Sequence, residues 1–253
     1  MALTVLAVST SFSASSSGDS SVWQTIWDQV STPTSPPSLT AVAIIGAAVL
    51  AATLFRPTWL ILRSVITIVH EGSHALVALL AGRELGAIKL HSDTSGLTVS
   101  RGKPRGFGMV MTAAAGYVGP ALTGLLGAWA VAHGYTAAWL WGFVLILAIM
   151  LLKIRNFFGL WSLLVTGTII GLVSLFAPEQ IQVYAAYLLV FILLIGAPRP
   201  VLELARGRRR DRTRTSDADV LANLTRIPAV LWLACFAILT LGALTLGIWL
   251  VIS

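Results

Sequence analysis

Residues 68–77 read Ile-Val-His-Glu-Gly-Ser-His-Ala-Leu-Val. Two imidazoles and a carboxylate stand in a stretch that is otherwise almost wholly apolar. Such side chains are expensive in hydrocarbon, so a membrane segment that keeps three of them together marks a functional site. The reading of these ten residues therefore depends on whether they lie in a membrane, which the rest of the chain decides.

The chain has 253 residues, 57% of them hydrophobic and 11% charged, with a mean hydropathy of +0.86. A soluble domain has about a quarter of its residues charged, so this composition excludes that class. Apolar windows near 40–55, 58–81, 106–132, 137–152, 157–176, 181–197 and 228–252 predict an all-α polytopic membrane protein of six or seven transmembrane helices. The windows 40–55 and 137–152 fall short of the roughly 20 residues that cross a bilayer, which leaves the count between six and seven. Residues 1–38 read as a flexible Ser/Thr/Pro-rich tail, within which Trp23, Ile26 and Trp27 suggest a short interfacial helix. Residues 39–253 form the membrane-embedded domain. Cys235, the single cysteine, rules out an internal disulfide and reads as a small core residue.

The segment 83–105 breaks the helical pattern. Ala87–His91 and Leu97–Arg101 lean toward strand and flank the turn-rich 92–96, which predicts a small β-hairpin. Charge then orients the spans. The hairpin segment, the loop with Lys153 and Arg155, and the polar loop 198–227 hold 15 of the 17 basic residues. The turns at 133–135 and 177–180 carry no Lys or Arg. The positive-inside rule makes the first three cytoplasmic, with Arg56 and Arg63 as exceptions. Orientation and contact with the lipid bilayer account for the net charge of +7, so no nucleic-acid partner is inferred.

In His70-Glu71-Gly72-Ser73-His74, residues four apart share a helix face, so both imidazoles can point at one ion. Two histidine nitrogens supply half of a tetrahedral Zn²⁺ shell. Glu71, one step round the helix, can take the proton of a water at the open position as it attacks a carbonyl. This is H-E-x-x-H with metallohydrolase mechanics. Glu71 is also the one acid well inside a predicted span.

From about Arg63 to Trp232 the chain resembles the site-2 protease family of intramembrane zinc metalloproteases, in a compact branch without a PDZ domain. The resemblance rests on IVHEGSHALVALLAG at 68–82, the hairpin, AAAGYVGP at 113–120, Ser216-Asp217-Ala218-Asp219, and Leu224-Thr225-Arg226-Ile227-Pro228. It implies hydrolysis of peptide bonds in membrane-spanning protein substrates, with His70 and His74 as Zn²⁺ ligands and Glu71 as general base. Many members supply the third ligand as an aspartate within an N-x-x-P…L-D-G stretch of a later span. That stretch is absent here, and no aspartate lies in a later span. The resemblance points instead to Glu203, at about the place where compact relatives carry an acid, with Asp217 and Asp219 as alternatives. A loop carboxylate among arginines can equally be a charge partner.

Under this reading the hairpin offers a strand edge to an unwound substrate; the other reading is a hairpin solvated in the cytoplasm. Gly116, Gly119, Gly124 and Gly127 form a small-residue face expected to pack against the histidine-bearing helix. Asn156 either bonds a scissile carbonyl or caps the helix that follows. His91 and His133 read as loop and turn residues. Two other functions fit the same cluster: an ion or proton transporter, and a catalytically inactive membrane scaffold. Abundant Arg and Ala suggest a bacterial source and hence the plasma membrane.

Overall fold

The computed structural model describes residues 22–208 and 216–253. The elements run α1 (Val22–Ser31), α2 (Leu39–Leu54), α3 (Arg56–Leu80), β1 (Glu84–Leu90), β2 (Gly96–Arg101), α4 (Phe107–Ala132) and α5 (Thr136–Leu151). They continue with α6 (Phe157–Phe176), α7 (Glu179–Gly196), α8 (Pro198–Gly207), α9 (Asp217–Thr225) and α10 (Ala229–Ile252). Among the described residues five helical runs are long and apolar enough to cross a membrane: α3, α4, α6, α7 with α8, and α10. The chain is that of a multi-pass membrane protein. The 16-residue α2 and α5 reach only about 24 Å at 1.5 Å per residue, short of ~30 Å of hydrocarbon.

The segment 198–227, read as a polar loop, carries α8 and α9. Ala197 keeps helical angles, and the prolines at 198 and 200 fall in the first turn of α8, where a missing N–H leaves no intrahelical bond unmade. The short helix expected around Trp23, Ile26 and Trp27 is α1, while residues 1–21 lie outside the described residues. Residues 22–31 are helical, and the Thr34 N–H and hydroxyl both donate to the Gly134 carbonyl, at 2.9 and 3.0 Å. Cys235 is exposed on α10, not in the core.

Helix α4 packs against α3, α7 and α10. Its glycine face meets different neighbours along its length. A Cβ at Gly119 would collide with Ser73 of α3, whereas Gly124 faces Leu193 and Leu194 of α7 and Gly127 faces Trp139 of α5. The expected packing on α3 therefore holds for Gly116 and Gly119 only. A second apolar cluster joins Ala113 of α4, Val201 of α8, Ala218 and Leu221 of α9, and Leu233 and Phe236 of α10.

The hairpin begins earlier than expected, at Glu84, and pairs antiparallel with a bulge between Leu85 and Ala87. Its outer edge at β1 is occupied. The Ile88 N–H donates to the Lys153 carbonyl, and the Arg155 N–H donates to the Ile88 carbonyl, both at 2.9 Å. The hairpin is not free in solvent. Leu85, Ile88 and Leu90 are buried, and the Thr67 hydroxyl of α3 donates to the Thr94 carbonyl in the turn, at 2.9 Å.

Candidate metal centre

Helix α3 carries His70 and His74 one turn apart, and their Nε2 atoms lie 3.1 Å from each other. The Oδ2 of Asp217, the first residue of α9, lies 3.2 Å from each of them. These three form a possible metal-holding cluster among the described residues. Glu203 is not part of it. Its Oε1 accepts from Trp59 Nε1–H at 2.9 Å and from Arg199 Nε–H at 3.1 Å, while Arg63 lies 3.3 Å from Oε2. Two guanidinium groups and an indole claim this carboxylate, which fastens α8 to α3. Asp219 is also turned away, bonded to Ser216 and Arg208. Arg63, an exception to the loop-charge pattern, is thus an ion-pair partner within the protein.

The donor set fits zinc on three grounds. Four ligands held tetrahedrally at about 2.0–2.1 Å stand about 3.3–3.4 Å from one another, close to the spacings here, and a fourth position stays open. Second, His74 Nδ1 lies 2.6 Å from the Thr112 carbonyl, which only an N–H can bond. A proton therefore sits on Nδ1, and in the neutral ring Nε2 presents its lone pair, the arrangement common to metal-bound imidazoles. With that tautomer, Nε2 and the Asp217 carboxylate are two acceptors converging on one point, which is repulsive unless a cation, a proton or a metal ion, lies between them. Third, the room is made by a missing side chain: a Cβ at Gly116 would land against Nε2 of both histidines. Burial alone would push the Asp217 carboxyl up. Imidazole N–H groups of His70 and His74, when they donate to it, outweigh burial and hold it well below the usual carboxylate range, so it offers an anionic oxygen.

Glu71 is 3% exposed. Its Oε2 accepts from the Thr98 hydroxyl of β2 at 2.6 Å. The Gly96 backbone lies against the same carboxylate, and a Cβ there would collide with it. Strand β2 thus covers the proposed base directly. The Tyr117 ring of α4 stands edge-on to His70 at 5.0 Å and stacks on Phe236 at 5.2 Å.

Asn156 stands at the N-cap of α6 but does not cap it through its side chain. Its amide instead spans the backbone of Leu90, with Oδ1 accepting from the N–H at 3.1 Å and Nδ2 donating to the carbonyl. That clamp joins chain segments 66 residues apart, and nothing local in the sequence signals it. His91 and His133 are turn residues as read, beside Ser95 and the Trp129 carbonyl respectively.

Comparison with curated proteins and with solved structures found no match. The family model described as Peptidase M50B-like matches residues 42–247, which include α3, the hairpin, Asp217 and nearly all of α10, and the chain belongs to that site-2 protease-like family.

Proposed function

We propose that the protein is a zinc-dependent intramembrane protease that hydrolyses peptide bonds of membrane-spanning protein substrates. The observation that carries this reading is the triangle of His70, His74 and Asp217 donors on an H-E-x-x-H helix that is itself a candidate span. Zinc held there supplies a Lewis acid and lowers the pKa of a coordinated water toward about 7. His70, His74 and Asp217 hold the ion, and Thr112 keeps His74 in the required tautomer. Glu71 takes the proton of the attacking water and passes it to the leaving amine nitrogen. The Thr98 hydroxyl holds one oxygen of that carboxylate and so fixes its plane.

A helical substrate hides its peptide groups and must be extended before hydrolysis. Ile88 and Leu90 turn their backbone groups outward to 153–156, so Thr98 and Gly96, directly opposite them, turn theirs away from β1 as well. Those groups lie on the strand that covers Glu71. An extended segment adding to β2 is therefore laid beside the base. The loop charges support a cytoplasmic hairpin, the abundance of Arg and Ala supports a bacterial plasma membrane, and the bilayer supplies both solvent and substrate.

The test is cleavage of a panel of single-span helices by the full-length protein in liposomes, with products read by mass spectrometry. Products cut within or beside the span are expected, lost with a zinc chelator and regained with zinc. A zinc-bound protein that cuts none of them, yet carries a His70-dependent ion flux across the liposome, would replace this reading with a transporter.

A further inference from the structure

We propose that Asp219, held by Arg208 and Ser216, is a positioning residue that aims Asp217 at the two histidines; the proposal rests on the zinc reading above. Asp217 lies on no span. It opens α9, a nine-residue helix too short to hold its shape alone in water, so its aim depends on what pins α9. Ala218 and Leu221, both fully buried, seat one face of α9 against α4, α8 and α10. Apolar contact of this kind is non-directional and leaves the helix free to turn.

Direction comes from Asp219. At 3.6 residues per turn, Asp217 and Asp219 stand about 200° apart, on opposite flanks of Ala218. While Asp217 faces the histidines, the Asp219 carboxylate is 6% exposed and faces the end of α8. It accepts from the Ser216 N–H at 3.2 Å, from the Ser216 hydroxyl at 2.5 Å and from Arg208 Nη1–H at 2.5 Å. Arg208 is the C-cap of α8, and α8 is tied to α3 through Glu203, Trp59 and Arg63. Fixed contacts therefore run from α3 along α8 to Asp219 and return to α3 at Asp217. Removing either partner of the Arg208–Asp219 pair leaves the other without its counter-ion, on the carboxylate side a nearly fully buried charge.

The test uses the full-length protein in detergent, stripped of metal and titrated with zinc against a chelator of known affinity. Asp219→Asn and Arg208→Gln are each expected to weaken zinc about 10- to 100-fold. The double variant is expected to be no weaker than the worse single, because both break one contact. Arg208→Lys keeps the cation and is expected to regain most of the affinity. At saturating cobalt(II) in place of zinc, the visible absorption of both single variants is expected to move toward that of Asp217→Ala, the reference for a lost donor. Wild-type zinc affinity in both single variants overturns the clamp and leaves the metal centre standing. So does an unfolding temperature of the metal-free protein that falls in step with affinity, which would assign Asp219 to folding alone. Additive weakening in the double variant overturns the coupling to Arg208. A wild-type protein that takes up no zinc overturns this proposal together with the reading beneath it.

Discussion

The Thr98 hydroxyl and the Glu71 carboxylate, 2.6 Å apart, form a charge-assisted bond whose loss is expected to slow turnover without releasing metal. Thr98→Val is expected to lower kcat about 10- to 100-fold, the equivalent of roughly 1.5–3 kcal/mol, at unchanged zinc content. Glu71→Gln is expected to lower it further, by about 10²- to 10⁴-fold, again with zinc retained. Gly116→Ala separates the other half of the site: its methyl group enters the space between the histidines, so zinc content falls to background in elemental analysis. Retained zinc in that variant would mean that the donors do not converge there. The pairing of His70 with His74 was legible in the sequence because helical spacing alone brings two imidazoles to one face. The third donor was not. Asp217 reaches His74 across 143 positions, and the sequence favours Glu203 over it, whereas Arg63, Arg199 and Trp59 hold that carboxylate elsewhere. The available signal was local: Ser216 followed by two acids at alternate positions is the start of a helix, which places Asp217 at a fixed N-terminus.

The hairpin and α9 were visible as a strand pattern and as a candidate acidic loop, but their partners were not, since both depend on contacts between distant segments. Asn156 shows why. Its side chain completes the β1 edge begun by Lys153 and Arg155, a pairing that neither strand propensity nor capping rules reveal. Asn156→Leu leaves both backbone groups of Leu90 unpaired, at about 1–3 kcal/mol for each buried group. Hydrogen exchange is expected to show faster opening of Leu90 and its β2 partners, while the α3 amides stay protected. Unchanged protection in β1 would remove the clamp. For α9 the pH window has a definite sign. Burial opposes the charged form of Asp219, but the bonds from Ser216 and Arg208 outweigh it and hold the carboxyl below its usual range. A folded value below the unfolded one gives stability that is complete above about pH 4 and lost as pH falls through the depressed value. Protection factors of the α9 amides in metal-free protein are therefore expected to drop below pH 4, and to drop less steeply in Asp219→Asn, where only Asp217 still titrates on this helix.

In the assembled molecule, α4 leaves the hairpin and α5 returns to it, because Lys153, just past α5, bonds Ile88 of β1. The 16-residue α5 must therefore bring the chain back to the side from which α4 departs, although it is shorter than a typical span. The apolar windows and the loop charges gave the membrane class and the order of helices; they could not show that α8 follows α7 with only Ala197 between them or that α4 divides its glycine face among several neighbours. In a Cys235→Ser background, single cysteines at Lys103 and Gly207 are expected to react with an impermeant thiol reagent from the cytoplasmic side, and one at His133 from the opposite side. Labelling of all three from one side would refute this topology. One ion at His70, His74 and Asp217 decides whether α3 carries hydrolytic chemistry. Elemental analysis of the purified full-length protein, dialysed against a weak chelator, is expected to find about one zinc per chain in the wild type and none in His70→Ala or Asp217→Ala. A wild type without zinc, unable to acquire it on titration, or an Asp217→Ala variant with full occupancy, would contradict it.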